Sequence, residues 1–154
     1  EAGIARRISA TAAGRDHPLL AGRPACWDAP AIHGDEVEEL PPGATLLASN
    51  DVTRVQAAEV RFDNGVFWGV QYHPELAIAE IASALRTQRD DLVAAGLAEH
   101  ENDVLMCADG LDALHERPDS KALHWRLGVN HHFAEERLRH LEIVNFLKHA
   151  KSLA

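Results

Sequence analysis

The tripeptide Asp63-Asn64-Gly65 lies between two runs of strand-forming residues, Val55 to Phe62 and Val66 to Val70. Asn-Gly accepts positive φ at low cost, so the tripeptide predicts a tight hairpin and commits its flanks to adjacent antiparallel strands. The second run, Val66-Phe67-Trp68-Gly69-Val70, is almost continuously apolar, the pattern of a strand buried on both faces. It continues as Gln71-Tyr72-His73-Pro74-Glu75, where Pro74 cannot donate to a ladder and ends the strand. Side chains alternate along a strand, so His73 and Glu75 share a face while Pro74 points away. An imidazole and a carboxylate held this way are a base and its orienting partner, an arrangement that activates a thiol.

From Ile4 to about Glu75 the chain reads as short strands and turns, with punctuation at Gly14, Pro18, Gly22, Pro24, Pro30 and Pro41-Pro42-Gly43. Thr45 to Ser49 is a further strand. After Glu75 the pattern becomes helical, with Ile78, Ile81 and Leu85 on one face and Arg86, Arg89, Asp90 and Asp91 opposite. A second helix is expected over Glu101 to His115 and a third over Glu135 to Lys148. In the third, Leu138, Leu141, Val144 or Asn145, and Lys148 trace one line, and Ile143, Phe146 and Leu147 widen its apolar face. The change from a strand-rich front to a helical tail falls near residues 76 to 80.

The 154 residues are 46% hydrophobic and 25% charged, as in a soluble globular domain, and the net charge of −9 with scattered Lys and Arg disfavours nucleic acid or an anionic membrane as partner. No apolar run approaches the roughly 20 residues that span a bilayer. Cys26 and Cys107 are too few for a disulfide framework, which points to a reducing, cytoplasmic setting. The chain begins at Glu1, its only methionine is Met106, and no signal-peptide pattern opens it, so it reads as a piece of something longer.

Neither cysteine sits in a nucleophile elbow. Cys26, in Arg23-Pro24-Ala25-Cys26-Trp27-Asp28, lacks the glycines of a tight strand-to-helix turn, and Cys107 reads as a helix or loop thiol. Both are expected to be small buried hydrophobes. Ten histidines, with His124, His131, His132 and His140 late in the chain, include no matched pair of ligand motifs, so no metal and no cofactor is expected. Trp27, Trp68 and Trp125 read as core or edge anchors. The acidic run Asp35-Glu36-Val37-Glu38-Glu39 reads as a solvated turn and helix start, with docking to a synthetase as its functional alternative.

The segment Gly69-Val70-Gln71-Tyr72-His73-Pro74-Glu75 resembles the histidine and glutamate motif of class I glutamine amidotransferases. His33-Gly34-Asp35-Glu36-Val37, with Glu39-Leu40-Pro41-Pro42-Gly43-Ala44 and Leu47-Ala48-Ser49, is similar to a segment of amidotransferase domains of the GMP synthase type. His17-Pro18-Leu19-Leu20-Ala21-Gly22 resembles a segment just before it. Together these matches run over about residues 9 to 80 in order. The tail, with Arg137-Leu138 and Ile143-Val144-Asn145-Phe146-Leu147, resembles the C-terminal extension of some stand-alone amidotransferases, which suggests a natural C-terminus.

The resemblance implies an α/β fold: residues 1–78 as the C-terminal half of a flavodoxin-like open-sheet domain, and residues 79–154 as a helical extension packed on it. It implies His73 as the base that deprotonates a cysteine, Glu75 as its orienter, and Gly34 and Asp35 as substrate-binding residues. The substrate would be glutamine, hydrolysed to glutamate and ammonia. His33 is not the base in this scheme. The family's Gly-x-Cys-x-Gly elbow is absent from the sequence, so the triad's cysteine is expected upstream and the piece alone is expected to be inactive. A synthetase or other ammonia acceptor, and a dimer or a co-purifying missing half, are the expected partners. Two other readings stay open: a non-catalytic regulatory or interaction module, and a γ-glutamyl hydrolase.

Overall fold

The structure, a computed structural model, describes residues 1–152. Among them, five strands form one open antiparallel sheet: β1 (Ala2–Ala10), β2 (Cys26–Ile32), β3 (Ala44–Ser49), β4 (Ala57–Phe62) and β5 (Gly65–Val70), in the order β2-β1-β3-β4-β5. A short helix α1 (Ala12–Arg15) and a 3-10 turn at Pro18–Leu20 lead from β1 to β2. Beyond the sheet the chain is helical: α2 (Ile78–Thr87), α3 (Arg89–Ala94), α4 (Glu101–Glu116), α5 (Lys121–Leu127), α6 (His131–Ala134), α7 (Glu136–Arg139) and α8 (Leu141–Ser152). The α/β class and the open sheet followed by helices agree with the sequence, and the architecture is consistent with a flavodoxin-like amidotransferase fold.

The sheet divides two hydrophobic clusters. One gathers Ile78, Ile81 and Leu85 of α2 with Val104, Leu111 and Leu114 of α4, over Ile4 and Ile32 of the sheet. The other gathers Ile8, Trp27, Leu47 and Tyr72 with Leu19 and Leu20. Alternation along β1 and β2 sends successive side chains to opposite clusters, which is why both strands are buried throughout their centres. Gly14 permits the closest approach, since a Cβ there would stand 1.9 Å from the Leu47 carbonyl oxygen.

A bulge interrupts the β1–β2 register between Ala5 and Ile8. Arg7 there has φ +53°, and its N–H donates to Asp28 Oδ1 at 2.9 Å. The bulge aims Arg6 across the molecule, where its guanidinium donates to the carbonyls of Leu127 (2.8 Å) and Gly128 (2.9 Å) at the end of α5. A cation on the last carbonyls of a helix satisfies orphan acceptors and complements the helix dipole. Local caps act at two other helix starts: Glu80 accepts from the Ala77 N–H at 2.7 Å and Asp103 from the His100 N–H at 2.9 Å.

The hairpin forms as expected, with Phe62 opposite Gly65, but the positive φ (+50°) falls on Asp63 and Gly65 is already the first residue of β5. Three expectations are corrected. β5 is not buried on both faces: it is the outer strand of the sheet, and Phe67 is 66% exposed. The apolar run therefore marks an edge, with one neighbour strand instead of two. The acidic run 35–39 starts no helix and is exposed irregular chain. The third helix is broken at His140. Arg139 turns inward and donates to the carbonyls of Phe133 (3.0 Å) and Ala134 (2.9 Å), while its own carbonyl accepts from Arg23 at 3.0 Å. That carbonyl is engaged by a side chain instead of a continuing helical N–H.

The face of α8 that turns inward is polar. Glu142 and Asn145 are buried, while Val144, Phe146 and Leu147 are exposed. Asn145 Nδ2 donates to the carbonyls of Leu19 (2.9 Å) and Ala21 (2.8 Å), satisfying the 3-10 turn that α8 covers. Of the three tryptophans, Trp27 is core, Trp68 is half-buried, and Trp125 is 86% exposed and anchors nothing.

Candidate active site

The residues after β5 bend away at Pro74 and carry the site. The backbone of this segment is tied at two points: the Gln71 N–H donates to the Gln56 carbonyl at 2.9 Å, and the His73 N–H to the Pro30 carbonyl on β2 at 2.8 Å. His73 Nδ1 lies 2.7 Å from Glu75 Oε1, so the alternation read from the sequence does bring the imidazole and carboxylate together. The pair is open, with side chains 35% and 54% exposed. With the proton on Nδ1 and directed at Glu75, the lone pair is on Nε2, where an incoming group would meet it.

Gly34 and Asp35 lie in the exposed chain that follows β2, four and five residues after the Pro30 that anchors His73. Gly34 has open space around its Cα, and the Asp35 carbonyl faces His33 Nδ1 at 2.8 Å. The His33 ring also approaches Glu1 Oε2 at 3.2 Å, so His33 holds the start of this loop. Among the described residues no hydrogen bond joins 33–35 to 73–75. On the sheet face shared by Phe67, Gly69 and Gln71, an apolar cleft of about 270 Å³ is closed by Val37, Leu40 and Pro41.

Neither thiol serves the dyad. Cys26 begins β2, opposite Ser9, and is exposed rather than buried; Pro30 lies four residues on, about 13 Å along an extended strand. Cys107 is on α4, where burial pushes its thiol up, against a smaller opposing effect of Arg6. A raised thiol is a poor nucleophile. No group of three or more His, Cys, Asp or Glu among the described residues is arranged to hold a metal ion. No helix of the described residues is long and apolar enough to cross a membrane.

Sequence reasoning did not single out the groups packed behind the dyad. Tyr72, fully buried, donates its hydroxyl to Glu142 Oε1 at 2.8 Å. Arg23 grips the same carboxylate with two bonds of 2.7 Å and lies 5.5 Å from the Trp27 ring centroid. Burial first, and the Glu142 carboxylate second, push Tyr72 well above the ordinary phenol range, so the hydroxyl stays a donor. A second buried acid, Glu59, accepts from Trp68 Nε1 (2.9 Å) and Arg61 Nε (2.6 Å) and faces His17 Nε2 (3.1 Å). Burial alone would raise its pKa, but these bonds and the Arg61 charge outweigh it and lower it from 4.5 to about 2. The available signal was a lone acid, Glu142, inside an otherwise apolar helical stripe.

Comparisons with known proteins bear on the same segment. The class-I glutamine amidotransferase family profile matches residues 3–88, a span that contains the loop at 33–35 and the His73–Glu75 pair. A γ-glutamyl-L-1-hydroxyisopropylamide hydrolase of Pseudomonas sp. is 34% identical over 97% of this chain and 50% of its own length. The glutamine-hydrolysing GMP synthase of Thermomicrobium roseum is 37% identical over 46% of this chain and 12% of its own. One component of the two-part glutamine-hydrolysing GMP synthase of Methanocaldococcus jannaschii is 32% identical over 46% of this chain and 37% of its own. The chain thus spans half the length of the first of these relatives and less of the others. With the sheet, the strand-end dyad and more than half of the sequence matching one family, the chain belongs to the class-I glutamine amidotransferases.

Proposed function

We propose that this chain supplies the base, the orienter and part of the substrate loop of an enzyme that cleaves the γ-glutamyl C–N bond of glutamine. The observation that supports it most is the 2.7 Å His73–Glu75 pair at the strand end, within the matched span. The nucleophile is a cysteine from outside these residues, since neither Cys26 nor Cys107 lies in a Gly-x-Cys-x-Gly turn. His73 Nε2 takes the thiol proton, and the sulfur attacks the γ-carbonyl carbon. The imidazolium returns that proton to the departing nitrogen as the C–N bond breaks, leaving a thioester. Water, deprotonated by His73, then releases glutamate and restores the thiol. Glu75 holds the ring and offsets its charge at each transfer. Gly34 and Asp35 contact the glutamyl group, and residues 79–154 form an extension packed on the domain of residues 1–78.

The GMP synthase relatives support ammonia as the product and a synthetase as its acceptor. The Pseudomonas relative supports a second reading, hydrolysis of an N-substituted γ-glutamyl amide. Its alignment runs through the helical tail, which the GMP synthase alignments, at 46% of the chain each, do not span. The full-length protein should be given glutamine and a γ-glutamyl alkylamide separately, with ammonia and alkylamine measured. Preference for glutamine supports the first reading and preference for the alkylamide the second. Turnover of neither, or turnover that survives His73→Ala, rejects the assignment of the base.

A further inference from the structure

We propose that Glu142, on the last helix, is a positioning residue for His73, acting through the hydroxyl of Tyr72. Tyr72 and His73 are consecutive, and alternation sends one side chain into the core and the other outward. The inward one is the better held. Its hydroxyl meets a carboxylate that is 3% exposed and already fixed by the two bonds from Arg23, itself 2% exposed. Arg23 also donates to the Arg139 carbonyl at 3.0 Å, so the carboxylate is fixed with respect to both α7 and α8. Trp27 abuts the Tyr72 ring edge-on at 6.2 Å, which restricts the ring from the sheet side.

His73 has few restraints of its own. Its backbone is tied at the Pro30 carbonyl, and its open side chain has Glu75 as partner. A displacement of Tyr72 is therefore transmitted directly to the His73 N–H bond and to the ring it carries. The helical tail in this way sets the attitude of a base that lies 69 residues earlier in the chain. The inference rests on His73 acting as the base, but its structural half can be read independently.

Tyr72→Phe removes the hydroxyl and leaves the Arg23–Glu142 pair and the ring packing in place, so the variant is expected to fold. In the full-length protein, kcat for the preferred γ-glutamyl substrate should fall about ten-fold with KM little changed, the signature of a misplaced reacting group. Amide hydrogen exchange at His73 should accelerate, while that at Leu111 in α4 stays as it was. Glu142→Gln should move both readouts in the same direction. Unchanged exchange at His73 in Tyr72→Phe overturns the proposal, and so does faster exchange with unchanged kcat. If the parent protein turns over no γ-glutamyl substrate, the functional reading fails instead, and exchange at His73 still decides whether Tyr72 holds it.

Discussion

Two acids partner the same strand end on opposite terms with water. Glu75 meets His73 in the open, with both groups substantially exposed, while Glu142 meets Tyr72 and Arg23 in a buried site. An exposed pair is screened and contributes little to stability, but it can exchange protons and admit a ligand. A buried pair cannot do that work. Its attraction is offset by desolvation, and what it provides is a fixed geometry whose disruption is costly. The strand end thus separates chemistry from positioning by a single step of side-chain alternation.

The contrast can be tested from its strongest consequence downward. His73→Ala in the full-length protein should lower kcat/KM by about 10²–10⁴-fold with no loss of stability, measured by steady-state kinetics alongside denaturant unfolding. Arg23→Met should do the reverse. It leaves the Glu142 carboxylate buried without its cation, and unfolding in urea should show a loss of about 3–5 kcal/mol. Glu75→Gln keeps an acceptor for Nδ1–H but removes the charge, so transition-state stabilisation should fall by about 1–2 kcal/mol, seen in kcat.

Glu59 extends the comparison to pH. Its carboxylate is held at about 2 in the folded chain against an ordinary 4.5. Its stabilising contribution is therefore complete above 4.5 and is lost as pH falls from 4.5 towards 2. Thermal midpoints across that window should fall less steeply in Glu59→Gln than in the parent. The smallest effect is expected at Trp125, whose exposed ring should be replaceable by alanine within about 0.5 kcal/mol.

Much of the candidate site was legible because it is local. His73 and Glu75 are two residues apart, and strand alternation with Pro74 as a stop is enough to pair them. The helices α2 and α4 were legible for the same reason, since their buried positions recur at helical spacing within one segment. The third helix misled because its stripe was read as a hydrophobic face. The neighbours of α8 are an arginine, a phenol and two free carbonyls, so Glu142 and Asn145 took the inside and Phe146 and Leu147 were left exposed. The apolar β5 run misled differently, because a strand's composition does not reveal how many strands flank it.

The hairpin, the dyad and the family all follow from the sequence alone, each through patterns that span a few residues or recur in order. Packing in three dimensions made β5 an edge, broke the third helix at His140, and held Tyr72 from α8. Arg23 and Glu142 are 119 positions apart, and no local periodicity couples them. Their pairing exists because folding brings two otherwise unsatisfied charges into the same dry space, where each is the other's remedy for desolvation.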